Sequence, residues 1–580
     1  MGGGSLAPET PAGRASLDGS GGNVRRDHAR AVHSSRRHGQ HGGCPAQGDG
    51  DDWILRPERV SARRHGRQLV GAVVDSDRLL SSLLASGQTT DIIEPFTGAT
   101  LYSLPTSTED DVDAVFDEAR RAQRMWADTP VSVRSAIMLR FHDALLDDRQ
   151  SVLDLVQRET GKARKDANEE VLDVCITARH YARDARRLLR PRRRLGALPG
   201  LVGVIERRVP FGVVGVIAPW NYPLTLAISD AIPAMMAGNC VVVKPDVQTT
   251  LSALWIADLL ERAGLPPGVF TVVAGEGSMV GPLVIDRSDY VMFTGSTAVG
   301  RRVAAQCGEL LIGCSMELGG KNAMIVRSDA DIAAAAALAC RASFSNSGQL
   351  CISIERMYVD QSIIDEFLDA FARRTQALRM SAQIGWGADF GSLVSQRQRD
   401  RVAAHVENAV QLGAEVIVGG EPRPDIGPYF FAPTILTGVR EDMDLCRVET
   451  FGPVVSVYPV GSDAEAVARA NDSEYGLNAA IASRDTRAAR SMARSLRAGT
   501  VNINEGYAAA WASKRAPMGG MGASGLGRRH GDEGLRKYTE SQTIATQRAL
   551  NFDPPFGWSD EQWGDTLAQA MAVMKNLGLK

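Results

Sequence analysis

Short hydrophobic runs alternate with helix-length segments in the middle of the chain. Residues 213–218, 240–244, 270–274 and 290–293 are rich in β-branched side chains, and each run is followed by enough residues for a helix. This spacing is typical of βαβ units, whose strands pair in parallel beneath covering helices. We therefore predict a doubly wound α/β sheet that binds a nucleotide at the carboxyl ends of its strands.

The pattern that precedes this sheet is helical. One apolar stripe consists of Val112, Val115, Phe116, Ala119 and Trp126. It follows residues 106–109, whose Thr-x-x-Glu spacing is that of a capping box. A helical pattern continues through residues 131–187 and ends in the basic run 190–194. Because no aromatic residues interleave with these charges, we interpret the run as a solvated turn or a subunit contact.

The first 68 residues show neither periodicity. They are rich in Gly, Arg, Ser and His, a composition that indicates a disordered segment. Five of the nine histidines fall here beside Cys44, but no CxxC or HxxxH spacing accompanies them. We therefore predict a solvated extension over residues 1–72 and no metal site.

Composition then excludes several classes of protein. The 580 residues carry a net charge of -3, which gives no overall electrostatic footprint for nucleic acid or an anionic membrane. No apolar run approaches membrane-spanning length, and the opening residues lack a secretory signal. Eight cysteines are too few for a disulfide scaffold. We expect a soluble cytoplasmic protein with more than one domain.

Two glycine-rich turns compete as phosphate-binding sites. Residues 275–281 follow a predicted strand, but the last glycine spacing is one residue too long for a dinucleotide fingerprint, and we interpret them as a plain turn. Residues 293–300 run from a strand directly into a helix. There Gly295 would permit close backbone approach, and Ser296 with the first helical amides would face a pyrophosphate.

Three residues carry candidate catalytic chemistry. Cys351 follows a polar, glycine-containing stretch, whereas Cys175, Cys240 and Cys340 lie among aliphatic residues that are typical of buried, unreactive thiols. Glu317 is a single carboxylate among apolar and glycine residues, and Asn221 directly follows a strand. A nucleophile, a desolvated base and a fixed amide donor are what covalent aldehyde chemistry requires.

Six motifs occur in an order that identifies a family resemblance: PWNYP, VVVKP, FTGSTAVG, MELGGKN, FSNSGQLC and ETFGPV. From about residue 73 to 546 the chain resembles the aldehyde dehydrogenase superfamily. Within this superfamily, segments 504–507, 518–522 and 528–531 most resemble bacterial succinate-semialdehyde dehydrogenases that use NADP. They are typical of the second type of these enzymes, as found in actinobacteria.

The resemblance implies an aldehyde dehydrogenase-like α/β fold with three parts. A Rossmann-like cofactor domain would comprise residues 73–193 and 211–318, and an α/β catalytic domain residues 319–529. A small β bridging element, residues 194–210 and 530–547, would pair subunits of a homodimer or homotetramer. Residues 548–580 would form a C-terminal tail.

The same resemblance assigns roles to the catalytic residues. Cys351 would attack the aldehyde, the Asn221 amide and the Cys351 backbone N–H would stabilise the oxyanion, and Glu317 would activate the hydrolytic water. Glu317 also argues against relatives that acylate coenzyme A. A cysteine hydrolase would need a histidine partner, but His405 and His530 lie outside every motif. A catalytically silent binding protein on the same fold is the other alternative.

Further residues are expected at the cofactor. The resemblance places Lys244 at the adenine ribose, Glu449 and Phe451 at the nicotinamide ribose, and Trp220 and Leu318 near the nicotinamide. The third residue after Lys244 is acidic in relatives that prefer NAD. Here that residue is Val247, which favours NADP, although the adjacent Asp246 keeps NAD open as the alternative.

The substrate is less firmly indicated. Succinate-semialdehyde dehydrogenases hold the distal carboxylate with two arginines, and the corresponding positions here are Ser229 and Ser345. Ser513, Lys514 and Arg515 lie where the family's substrate loop would be, and they would either supply replacement charge or form an exposed basic turn. Succinate semialdehyde is the expected substrate, and medium-chain or aromatic aldehydes are the alternative.

Overall fold

The computed structural model describes residues 74–197, 202–548 and 553–578. The predicted disordered extension, with its histidines and Cys44, lies outside the described residues. The α-helices of the described residues are Ser76–Leu80, Glu109–Asp128, Val131–Asp147, Arg149–Thr160, Arg164–Leu189, Pro223–Ile228, Ala231–Ala237, Thr250–Arg262, Gly277–Arg287, Thr297–Glu309, Ile332–Phe344, Ile364–Gln376, Gln396–Gln411, Asp444–Arg447, Asp463–Asn471, Thr486–Ala493, Ala508–Ala512, Glu533–Arg536 and Asp560–Asn576.

The capping box of the first long helix differs from the prediction. The helix begins at Glu109, so its N-cap is Thr108, and the reciprocal partner is Asp111. The Thr108 hydroxyl accepts from the Asp111 amide at 3.3 Å, and Asp111 Oδ2 accepts from the Thr108 amide at 2.9 Å. Thr106 instead donates to the Gln88 carbonyl. The two-residue error arose because the capping pattern occurs in overlapping registers and only helix geometry selects one.

A six-stranded sheet confirms the predicted doubly wound architecture. In spatial order its strands are Gly525–Leu526, Gly313–Glu317, Tyr290–Thr294, Val213–Ile217, Cys240–Lys244 and Phe270–Val272. All pair in parallel except Gly525–Leu526, which returns from much later in the chain. Val213–Ile217 and Cys240–Lys244 are buried on both faces, as covering helices on both sides require.

A second, seven-stranded sheet lies later in the chain. Its spatial order is Glu415–Val418, Thr434–Thr437, Val454–Val460, Ile354–Asp360, Asn322–Val326, Asn478–Ala482 and Thr500–Ile503. Only the edge strand Glu415–Val418 runs antiparallel to its neighbour. Both faces of this sheet are covered, so its central strands are again buried along their whole length and mostly apolar.

Two smaller sheets complete the β-structure of the described residues. Thr89–Ile93 pairs with Thr100–Pro105. Val202–Pro210 pairs antiparallel with Thr539–Gln547 on one side and with Arg192–Arg194 on the other. The basic run was interpreted as a turn or contact, but its last three residues form an exposed edge strand, so this sheet begins at residue 192 rather than 194.

No helix among the described residues is both long and apolar enough to cross a membrane. The buried apolar residues form one large cluster around the six-stranded sheet and one cluster on each face of the seven-stranded sheet. A smaller apolar cluster, which includes Tyr222, Leu350, Tyr507 and Met518, has Cys351 packed against it.

Candidate active site

Strand ends bring the three candidate catalytic residues together. Asn221 follows strand Val213–Ile217, and Glu317 is the last residue of strand Gly313–Glu317, so both lie at the carboxyl edge of the six-stranded sheet. Cys351 lies just before strand Ile354–Asp360 of the other sheet. Asn221 and Cys351 line one pocket, and the charge of Glu317 acts directly on the Cys351 thiol.

The loop that presents Cys351 is conformationally strained. Asn346, Ser347 and Gly348 have consecutive positive φ angles of 51°, 55° and 71°. Non-glycine residues in this region cost on the order of 1–3 kcal/mol each unless their surroundings enforce the conformation. A side chain at Gly348 would lie 2.1 Å from the Gly452 carbonyl oxygen, so only glycine fits there.

Hydrogen bonds fix both the loop and Asn221. The Asn346 side-chain amide donates to the carbonyls of Asn221 and Gln349, each at 3.0 Å. The Asn221 carbonyl also accepts from Lys162 Nζ at 2.6 Å, and Lys162 is paired with Glu170 in the interior. Asn221 Nδ2 donates one hydrogen to the Gln349 carbonyl at 3.0 Å. Its second hydrogen is free to bind an oxygen in the pocket.

Glu317 is a desolvated carboxylate. Burial raises its pKa to about 7, although the nearby cations Arg529 and Lys537 act in the opposite direction. Its Oε1 is buried and has no hydrogen-bond partner among the described residues. A carboxylate with these properties is partly ionised at neutral pH and is suited to accept a proton.

The Cys351 thiol is protonated in this state. Burial, and next the charges of Glu317 and Glu449, raise its pKa to about 12, while Arg529 opposes that shift. Cys351 is nevertheless partly exposed to the pocket, unlike Cys175 and Cys240, which are buried as the sequence predicted. A proton acceptor is therefore needed when this thiol reacts.

The pocket around Cys351 is mostly apolar. Its lining residues are Asn221, Tyr222, Thr225, Leu226, Leu350, Cys351, Ile352, Tyr507, Trp511, Met518 and Arg529. Neither histidine weighed as a partner for Cys351 contacts it: His405 Nδ1 lies 3.3 Å from Thr450 Oγ1, and His530 Nε2 lies 2.8 Å from Lys514 Nζ. The described residues contain no cluster of three His, Cys, Asp or Glu suited to a metal ion.

The preferred phosphate turn opens a helix, as predicted. Ser296 is the N-cap of helix Thr297–Glu309, where its hydroxyl accepts from the Val299 amide at 3.4 Å. Ser296 is exposed, and the N-terminus of the helix that it caps suits an anionic phosphate. Packing also requires glycine at position 295, because a side chain there would lie 2.6 Å from the Phe293 ring.

The Lys244 region lies at the end of strand Cys240–Lys244, two strands away in the same sheet. Lys244 is buried, its Nζ donates to the Pro245 carbonyl at 2.9 Å, and burial lowers its pKa. Asp246 Oδ1 accepts from the Gln248 amide at 3.1 Å and so caps the short 3-10 helix Val247–Thr249. Val247 is partly exposed and carries no charge. The only acid of this segment is thus already engaged by the backbone.

The remaining cofactor candidates surround a neighbouring site. The Trp220 and Phe451 rings meet edge to face with centroids 5.6 Å apart. Glu449 accepts from the Gly320 amide at 2.8 Å, and burial raises its pKa to about 8. The Leu318 amide donates to the Ser524 carbonyl. An open helix terminus, a buried lysine and this aromatic and acidic cluster fit the phosphate, ribose and ring of a dinucleotide.

The structure does not bring the substrate-loop residues to the pocket. The Ser513 hydroxyl donates to the Ala509 carbonyl, and Arg515 is 83% exposed with Asp184 at 3.5 Å. Ser345 and Ser229 are buried, and Ser229 donates to Asp173 at 2.9 Å. The replacement charge expected of Arg515 therefore lies outside the pocket.

Sequence reasoning missed two contributors to this site. Arg529 was noticed only as part of a motif, yet it is buried in the pocket wall. Lys162 holds the Asn221 backbone from a helix connection 59 residues away. An arginine within an apolar and glycine-rich segment was a usable signal for the first, whereas no local pattern marks the second.

Comparison with known proteins identifies relatives over most of the chain. The model of the aldehyde dehydrogenase family matches residues 84–544. A Mycolicibacterium smegmatis protein named "Putative succinate-semialdehyde dehydrogenase", NADP(+) type, is 53% identical over 85% of this chain and 96% of its own length. A Mycobacterium tuberculosis protein with the same name, numbered 2, is 50% identical over 87% and 98%.

A solved structure agrees with these relatives. Betaine aldehyde dehydrogenase from Staphylococcus aureus, in complex with NAD+, superposes with a TM-score of 0.77 at 30% identity. The superposition covers 82% of this chain and 94% of that protein.

Proposed function

The chain belongs to the aldehyde dehydrogenase family, and from that premise we propose that it oxidises succinate semialdehyde to succinate with NADP. The observation that carries the chemistry is that Cys351 and Asn221 line one pocket and that Glu317 lies near enough for its charge to act on the Cys351 thiol. A thiol, a free amide hydrogen and a base with a pKa of about 7 are the groups that oxidation through a thioester needs.

The first step forms a carbon–sulfur bond. The Cys351 thiol attacks the aldehyde carbon and gives up its proton, and Glu317 is the neighbouring group with a pKa suited to receive it. The carbonyl oxygen becomes an oxyanion, which the free Asn221 N–H and the Cys351 backbone N–H stabilise. NADP, when bound, would supply the hydride acceptor needed to oxidise this adduct to a thioester.

Hydrolysis completes the cycle. Glu317 first releases the thiol proton to solvent; the ionised carboxylate then removes a proton from water as the water attacks the thioester, and this proton passes to the departing Cys351 thiolate as the acid leaves. Glu317 can serve this step because its Oε1 has no competing donor among the described residues. The same carboxylate thus accepts protons in both half-reactions.

Support for NADP comes from Lys244 and its neighbours. Val247 is uncharged, and Asp246 is occupied in capping the following turn. Val247 therefore adds no carboxylate that would repel a 2′-phosphate near the Lys244 ammonium, whereas the charges of Asp246 and Glu276 do act on Lys244. The mycobacterial relatives are named for NADP, whereas the staphylococcal structure holds NAD+, so NAD is the second cofactor to test.

We also propose that the enzyme is a cytoplasmic homodimer or homotetramer. Strand Thr539–Gln547 pairs with Val202–Pro210 on one side only, and its residues from Glu540 onward are exposed. A nine-residue unpaired edge is costly to leave open and is readily covered by a second copy. The seven cysteines of the described part are free, as is usual in a reducing compartment.

The test is a panel of aldehydes with each cofactor, followed by the absorbance of the reduced nicotinamide. The panel includes succinate semialdehyde, butanal, octanal and benzaldehyde. The proposal expects the highest kcat/KM with succinate semialdehyde and NADP. A preference for octanal or benzaldehyde would instead indicate a medium-chain or aromatic aldehyde dehydrogenase. If no aldehyde were oxidised, the catalytically silent binding protein would be the favoured alternative.

A further inference from the structure

Arg529 is the only charged side chain among the described residues that line the Cys351 pocket. It lies in the pocket wall with aliphatic and aromatic neighbours, and its side chain is 7% exposed. Burying a guanidinium without function is costly, because charged groups lose their hydration. This residue therefore calls for an account beyond packing.

The backbone and one end of the Arg529 side chain are held in place. Its amide donates to the Met518 carbonyl at 2.7 Å, and its carbonyl accepts from the Met518 amide at 2.8 Å. Its Nη2 donates to Asp230 in a buried ion pair. No hydrogen bond joins Nε or Nη1 to any described residue, so three N–H donors remain for a ligand in the pocket.

The charges around Arg529 leave an excess of positive charge. Asp230 is shared by Arg529 and by Lys537, whose Nζ lies 3.0 Å from the other carboxylate oxygen. One carboxylate thus faces two cations. Lys514 does not alter this balance, because it forms its own buried pair with Asp173. The next acid, Glu317, is partly protonated at neutral pH because burial raises its pKa to about 7.

We propose that Arg529 is the specificity-determining residue of this enzyme and binds the carboxylate of a short aldehyde that carries an acid group. The proposal rests on the proposed function, since Cys351 and Arg529 must act on the two ends of one substrate. Succinate semialdehyde has the required chemistry.

The experiment compares Arg529→Met with the wild-type enzyme on succinate semialdehyde and on butanal, which has the same chain length but no carboxylate. We expect the ratio of kcat/KM for the two aldehydes to fall at least about tenfold, the effect of one charge-assisted hydrogen bond, mainly through KM for succinate semialdehyde. Because the ratio is taken within one preparation, a reduced folded fraction does not change it.

Two further variants control for the buried charge. Lys537→Met removes the other cation from Asp230 but leaves the Arg529 donors in the pocket, so its ratio should fall less than that of Arg529→Met. Arg529→Lys retains the charge and a partner for Asp230, and it should recover part of the preference that Arg529→Met loses. Succinate should inhibit the wild-type enzyme competitively and Arg529→Met at least about tenfold more weakly.

Each outcome distinguishes this inference from the proposed function. An equal loss on both aldehydes would show that Arg529 acts through Glu317 or through folding, and an unchanged ratio would also overturn its role. A wild-type enzyme without preference for the acidic aldehyde would overturn it as well. If no aldehyde were oxidised, the proposed function would fail, and calorimetric titration of succinate into both proteins would still decide whether Arg529 binds a carboxylate.

Discussion

Replacing Glu317 by glutamine separates the two half-reactions. Hydride transfer precedes hydrolysis, so Glu317→Gln should release about one equivalent of reduced cofactor per active site and then stall; the burst itself should be slower than in the wild type, because the Cys351 thiol also loses its proton acceptor. Loss of a positioned general base lowers a step by roughly 10²–10⁴-fold, and we expect the steady-state rate to fall within this range. The side chains are nearly isosteric, so cofactor binding should change little.

The structure also sets the magnitude of an effect on stability. Burial raises the pKa of Glu317 from 4.5 to about 7, which corresponds to a penalty on the order of 3 kcal/mol for the ionised form. The folded state favours the protonated acid, so stability is retained below about pH 4.5 and is lost as the pH rises through about 7. Glutamine avoids this penalty, and the variant should gain about 3 kcal/mol at pH 8 but about 1.5 kcal/mol at pH 5.5.

Stopped-flow absorbance measures the burst, and denaturant unfolding at the two pH values measures the stability difference. Glu415→Gln is the control, because Glu415 is an exposed residue of an edge strand and should affect neither quantity. A normal steady state without a burst would remove Glu317 from the hydrolytic role. Equal stability gains at both pH values would refute the burial argument.

Four further predictions follow from the same contacts. Wild-type kcat, where hydrolysis limits it, should rise about tenfold between pH 6 and pH 8 as Glu317 ionises, and a flat pH profile would contradict the pKa of about 7. Cys351→Ala should abolish oxidation of every aldehyde yet retain cofactor binding by fluorescence titration, and residual turnover would exclude the covalent route. Val247→Glu should raise KM for NADP at least about tenfold, whereas a wild-type kcat/KM that favours NAD would refute the basis of that prediction. Removal of residues 1–68 should alter neither activity nor the oligomer seen by light scattering, and a monomer at micromolar concentration would contradict the proposed assembly.

Local patterns in the sequence were sufficient for the two features that depend on short stretches of chain. The β-branched runs predicted the central strands of the six-stranded sheet, since a strand covered on both faces must be apolar throughout. The motifs singled out Asn221, Glu317 and Cys351 as candidates; Asn221 and Cys351 line one pocket, and Glu317 ends a strand of the six-stranded sheet. Even so, the capping box was misplaced by two residues, because the pattern alone leaves its register open.

Only the tertiary structure decided where the buried charges lie. Arg529 and Asp230 are 299 positions apart, and Lys514 and Asp173 are 341 apart, so no periodicity or spacing links either pair. The composition of the basic segment 513–515 does not indicate which of its cations is buried, and the fold buries Lys514 but exposes Arg515. A hydrophobic pattern reports which face of an element is covered. The partner of a buried charge depends instead on which distant elements pack together, and that packing determines both the burial that raises the pKa of Glu317 and the charge that a substrate would meet.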